Sequence, residues 1–177
     1  MSTNRPATVL GAHAKKLAGW RNLAPIQTRY LVDGIVEILV PFLELQGFSR
    51  VSFERLDSSL LVSGSEIVLE RIGEREIDSV TFNLEKYRKP RFQIHFSRRE
   101  RNSPNNFIRS ANLVRKSSQY YYFWGKPWWF PTKLWSESAT RRTLAEVKSQ
   151  LVQVIHFLDN AERGRNVSKA VPAPTPR

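Results

Sequence analysis

Val80-Thr81-Phe82-Asn83-Leu84 and Phe92-Gln93-Ile94-His95-Phe96-Ser97 decide the fold. In both runs apolar residues alternate with polar ones, the pattern of a strand with one buried and one wet face. Tyr87-Arg88-Lys89-Pro90 between them reads as a turn, so the pair predicts an antiparallel hairpin.

Toward the N-terminus, the same period of two marks three shorter strands, carried by Val51 and Phe53, by Leu60 and Val62, and by Ile67 and Leu69. Ahead of them residues 25–46 read as a helix. Pro25 suits its first turn, and Ile26, Tyr30, Ile35, Ile38, Phe42 and Leu45 fall on one face. Pro41 is expected to kink this helix or tighten its end, and Gly47 to stop it.

Beyond the hairpin, residues 98–117 are polar and Arg-rich and read as a long loop around Ser103-Pro104-Asn105-Asn106. Tyr120 to Trp124 offer a further strand. Residues 138–163 form a long helix with Leu144, Val147, Leu151, Val154 and Leu158 as its apolar stripe and Gly164 placed to cap it. Helix, then strands, then helix is the order of an α+β domain: an antiparallel sheet of about five or six strands with the N-terminal and C-terminal helices packed on one face. The organisation is a flexible basic arm over 1–24, a single α+β domain over 25–163, and a disordered Pro-rich tail over 164–177.

Composition excludes several classes of function. There is no cysteine, which removes disulfides, thiol nucleophiles and thiolate metal sites, and argues for a reducing compartment such as the cytoplasm. The start of the chain carries Arg5, Lys15, Lys16, Arg21 and Arg29 with no acid before Asp33, the composition of an organelle transit peptide, so targeting is the alternative location. The most apolar stretch, 34–48, is interrupted by Glu37, Pro41 and Glu44, and no membrane span is expected. His13, His95 and His156 share no metal-ligand spacing, and no phosphate-binding glycine motif occurs, so neither metal nor cofactor is expected.

Charge is the strongest signal. Residues 1–86 hold 10 Lys and Arg against 11 Asp and Glu, whereas residues 87–177 hold 18 against 5. Segregation of this size suits an anionic partner, because solubility alone needs no sorting of sign. Arg91, Arg98, Arg99, Arg101, Arg109, Arg115 and Lys116 lie just ahead of an aromatic run in which Tyr120 and Trp128 are candidate stacking platforms. Guanidinium groups pair with phosphates and aromatic faces stack on bases, so the leading expectation is a non-enzymatic protein that binds nucleic acid. A protein-interaction module of adaptor or immunity type, meeting an acidic protein through the same residues, is the second reading. A small enzyme using Glu85 and His95 as an acid–base pair on the hairpin is the third.

Pro41-Phe42-Leu43-Glu44-Leu45-Gln46-Gly47-Phe48, followed by short strands and Val80-Thr81-Phe82-Asn83-Leu84, resembles a bacterial family of small uncharacterised α+β domains over residues 26–96. In that family a helix ending in a Leu-x-x-x-Gly-Phe-like turn feeds an antiparallel sheet. The resemblance implies the fold and carries no catalytic residue with it.

Overall fold

The structure, a computed structural model, describes residues 17–51, 65–115, 123–124 and 137–168. Its centre is the hairpin read from the alternation: β3 (Glu76–Leu84) lies antiparallel to β4 (Arg91–Glu100), with Val80 opposite Phe96, Phe82 opposite Ile94 and Leu84 opposite Phe92. These six side chains enter the core, and their polar alternates face the other way. β1 (Ser49–Arg50), β2 (Glu66–Ile72), β5 (Ser103–Leu113) and β6 (Phe123–Trp124) complete the sheet. Its order is β1-β2-β3-β4-β5, every pair antiparallel. β6 joins the edge of β4 at Arg91 and Phe92, just before the point where β5 begins to pair at Ile94.

Of the long loop expected over 98–117, residues 98–113 form a strand pair. β4 runs on to Glu100, a two-residue turn at Arg101 and Asn102 reverses the chain, and β5 returns with a bulge opposite Arg98 to Glu100. Alternation was hidden because the core-side positions at this end are arginines. Arg98 and Arg109 face each other where Val or Leu would have announced a strand. The strand carried by Leu60 and Val62 lies outside the described residues.

Helix α1 (Ile26–Gly34) passes into a π-helical turn, Ile35–Leu39, and then into α2 (Val40–Glu44). Pro41 has no N–H to donate to the carbonyl four residues back, and the wider turn directly before it absorbs that missing bond. The extra residue also rotates the buried stripe. Leu31, Ile35, Leu39 and Leu43 are buried, whereas Ile26 and Leu45, expected on the core face, are exposed. Gly47 stops the helix at φ +84, as its lack of Cβ allows.

Helix α3 (Glu137–Asn160) buries the expected stripe of Leu144, Val147, Leu151, Val154 and Leu158. Leu144 packs on Gly34, where a Cβ would clash with its Cδ1, so this glycine sets the close approach of α1 and α3. Both helices share one core with the same face of the sheet, and Phe157 meets Phe96 edge to face at 5.5 Å. The expected cap at Gly164 lies too far along, for α3 ends at Asn160 and Ala161 takes the left-handed conformation at φ 62.

Packing against the core continues on both sides of residues 25–163. Residues 17–22 are helical, Leu17 and Trp20 pack against the core, and Arg21 pairs with Asp33 through Nε at 2.6 Å. After α3, Val167 bridges Leu113 and Ser168 N donates to Asn112 O at 2.9 Å, closing the outer edge of β5. No helix among the described residues is long and apolar enough to cross a membrane.

Candidate functional site

Strand β4 carries three of the six arginines singled out above, Arg91, Arg98 and Arg99, and sets them at its two ends. Arg91 and Arg99 are eight positions apart, about 26 Å at the rise of a strand. The two ends of the sheet differ in charge.

At the Arg98 end, four residues of one cross-strand row lie on the helix side: Arg71, Asp78, Arg98 and Arg109 on β2 to β5. Arg98 forks onto Asp78, Nε to Oδ1 at 2.6 Å and Nη2 to Oδ2 at 2.9 Å, and its Nη1 reaches Glu76 at 2.9 Å. Arg71 shares Asp78 Oδ2 at 2.7 Å and turns to Asp159 of α3. Arg109 Nη1 donates to the carbonyls of Phe157 and Leu158 at 3.0 and 3.3 Å, so a cation meets the negative end of the helix dipole. Hydrogen bonds to Asp78 hold the Arg98 pKa above its ordinary value, with burial opposing.

On the opposite face Arg99 pairs with buried Glu70 at 3.0 Å, and Arg101 reaches the Gly73 carbonyl at 3.4 Å. With Arg75, Glu74 and Glu100 in the adjoining turns, six cations here meet six acids. This end is neutral, and its guanidinium groups dock the end of α3 onto the sheet.

The Arg91 end is different. Glu85 is buried and fully used: Oε2 accepts from the backbone N–H of Tyr87 at 2.8 Å and of Lys89 at 3.1 Å, while Oε1 accepts from Arg91 Nη2 at 3.1 Å. The carboxylate therefore shapes the turn. Arg88 sits at its apex with φ 60, and Thr28 Oγ1 donates to the Arg88 carbonyl at 2.6 Å, tying the turn to α1. Buried Arg88 Nε has no hydrogen-bond partner among the described residues. Lys86 and Lys89 are exposed, and Tyr87, 71% exposed, lies under the Lys86 ammonium at 4.7 Å from ring centroid to Nζ. Four cations from Lys86 to Arg91 face Glu85 and, across the sheet, Glu66, whose pKa is raised by burial.

The predicted site residues therefore do not form one patch. Arg91 belongs to the cationic end, Arg98, Arg99, Arg101 and Arg109 to the neutral end, and Arg115 pairs with Glu146 of α3 at 2.9 Å. Lys116, Tyr120 and Trp128 lie outside the described residues. Glu85 and His95 are not brought together either. The register sets Leu84 opposite Phe92 and His95 opposite Thr81, which leaves the two about 13 Å apart along the strands. His95 Nδ1 lies 3.3 Å from Asn112 Oδ1, and its pKa is lowered, chiefly by burial.

Sequence reasoning passed over Lys86 and the ladder acids Asp78 and Asp159. Tyr87-Arg88-Lys89-Pro90 was a visible signal for the first, as a turn too basic for its length; the ladder needs the register. No group of acids and histidines among the described residues is arranged to hold a metal ion. Compared with known proteins, the chain matches no family model, no curated protein and no solved structure. The resemblance of residues 26–96 rests on the quoted residues alone.

Proposed function

We propose that the protein is a non-enzymatic binding protein of the cytoplasm that engages nucleic acid through the Lys86–Arg91 turn and the basic, aromatic stretch 116–136. One observation carries this reading. β6 brings Phe123 and Trp124 into the sheet beside Arg91 and Phe92, at the end where, among the described residues, cations outnumber acids. Among the described residues Lys86, Arg88 and Lys89 there pair with no acid, and Glu85 is taken by the turn and by Arg91.

The distribution of charge supports the same reading. Of the formal net charge of +12, the described residues hold 19 Lys and Arg against 14 Asp and Glu. The larger share of the excess belongs to the remaining segments, among them 116–122 and 125–136 with Lys116, Lys126 and Lys133 and no acid.

A labelled single-stranded oligonucleotide tests it. Neutralising about three phosphates costs roughly 20-fold in affinity between about 50 and 200 mM salt. Binding that is absent, or that does not respond to salt, contradicts the proposal.

A further inference from the structure

The sheet face turned away from the helices carries an uncharged hydrogen-bonding surface next to the cationic turn. Asn83 stands directly opposite Gln93; the next row is Thr81, His95 and Asn112; the third is Ser79, Ser97 and Ser110. None of these eight side chains is an acid, a lysine or an arginine. On β2 the same face carries Glu66, opposite Asn83, and Glu70, opposite Ser79 and held by Arg99, while Arg91 at the turn end is held by Glu85. Both guanidinium groups are anchored beside the face.

Hydrogen-bonding capacity on this face is mostly unspent. His95 and Asn112 contact each other, whereas Asn83, Gln93, Thr81 and the three serines make no side-chain hydrogen bond among the described residues. An amide presents one donor and one acceptor side by side, which matches the edge of a nucleobase, and such a pair distinguishes bases because a mismatched edge leaves a polar group unpaired. Phosphate, by contrast, offers acceptors only and gains little from an amide that lies beside a lysine. The surface therefore divides the work: the turn suits the charged backbone of a strand, and the uncharged rows suit its bases.

We infer that this face is the base-contacting surface of the interface, with Asn83, Gln93 and His95 meeting the hydrogen-bonding edges of bases in a single strand whose phosphates lie on the Lys86–Arg91 turn. The inference rests on the proposed nucleic-acid function and adds the part of the ligand that each residue contacts. Unpaired strands are the class that fits, since only their bases can lie against a sheet with their edges free.

The experiment compares a single-stranded oligonucleotide with an abasic strand of the same length, at one salt concentration, on the full chain. The normal strand is expected to bind about tenfold tighter, on the order of one or two good base contacts. The Asn83→Ala/Gln93→Ala variant is expected to bind both strands equally, at the affinity of the wild-type protein for the abasic one. Asn83→Asp/Gln93→Glu, nearly unchanged in shape, provides a second variant that is expected to reject the normal strand further by placing carboxylates against acceptor atoms. Equal affinity of the wild-type protein for both strands, or unaltered base dependence in the folded variants, overturns the inference and leaves the function standing. Failure to bind either strand overturns both.

Discussion

Asp78 and Arg98 stand directly opposite each other on β3 and β4 and are joined on the helix side of the sheet by a two-bond fork. The pair is well buried, Asp78 being 4% exposed and the Arg98 side chain 14%. Since Asp78 also holds Arg71, one carboxylate bridges two guanidinium groups under the end of α3.

Removing that carboxylate leaves two cations competing for Asp159 and Glu76. Asp78→Ala is expected to cost about 3 kcal/mol of stability, the range for breaking a buried pair from one side. Urea denaturation measures it, and a loss within a few tenths would mean the ladder is not structural.

Ala161 ends α3 in the left-handed region, with its N–H bonded to the Phe157 carbonyl at 3.0 Å. A Cβ is strained there, so Ala161→Gly is expected to raise stability by about 0.5 to 1 kcal/mol. The same substitution at Ala145, in the middle of the helix, is expected to lower it by a similar amount.

Gly34 and Leu144 occupy the crossing of α1 and α3. Gly34→Ala is expected to cost about 1 to 3 kcal/mol through overpacking. Adding Leu144→Ala frees the space, so the double variant is expected to be less destabilised than the sum of the two single ones. Thermal melts of the four proteins decide it, and strict additivity would show that the two residues do not share this contact.

His95 gives the protein a pH dependence of definite sign. Unfolded, its imidazole takes up a proton near pH 6.5; folded, burial lowers that value. Between the two pKa values the unfolded state binds more protons, so His95's contribution is whole above about pH 6.5 and declines as the pH falls below it. His95→Gln is expected to flatten the fall of the urea midpoint as the pH drops below about 6.5.

The central hairpin and α3 were legible because their apolar residues recur at periods of 2 and about 3.6, which fix faces without reference to anything else in the chain. β5 was not, since its core-side Arg109 is satisfied by helix carbonyls 48 and 49 residues away. The buried face of α1 was misplaced for a related reason: a π turn shifts the phase, and no periodicity assumed in advance contains it.

The candidate site was partly legible in the same way. A run of arginines in sequence gives charge density but not its compensation. Glu70, Asp78 and Asp159 reach the run only through register and helix docking. What remained uncompensated was the turn, whose single acid is consumed by its own backbone.

In the proposed function the cationic turn, and not the arginines of the ladder, meets the anionic partner. Amide chemical-shift mapping of the full chain titrated with a single-stranded oligonucleotide tests it most directly. Perturbations are expected to centre on residues 85–91 and to spread to Gln93 and His95, with little change at 98–101. Shifts centred on Arg98, Arg99 and Arg101, with the turn unaffected, would contradict it.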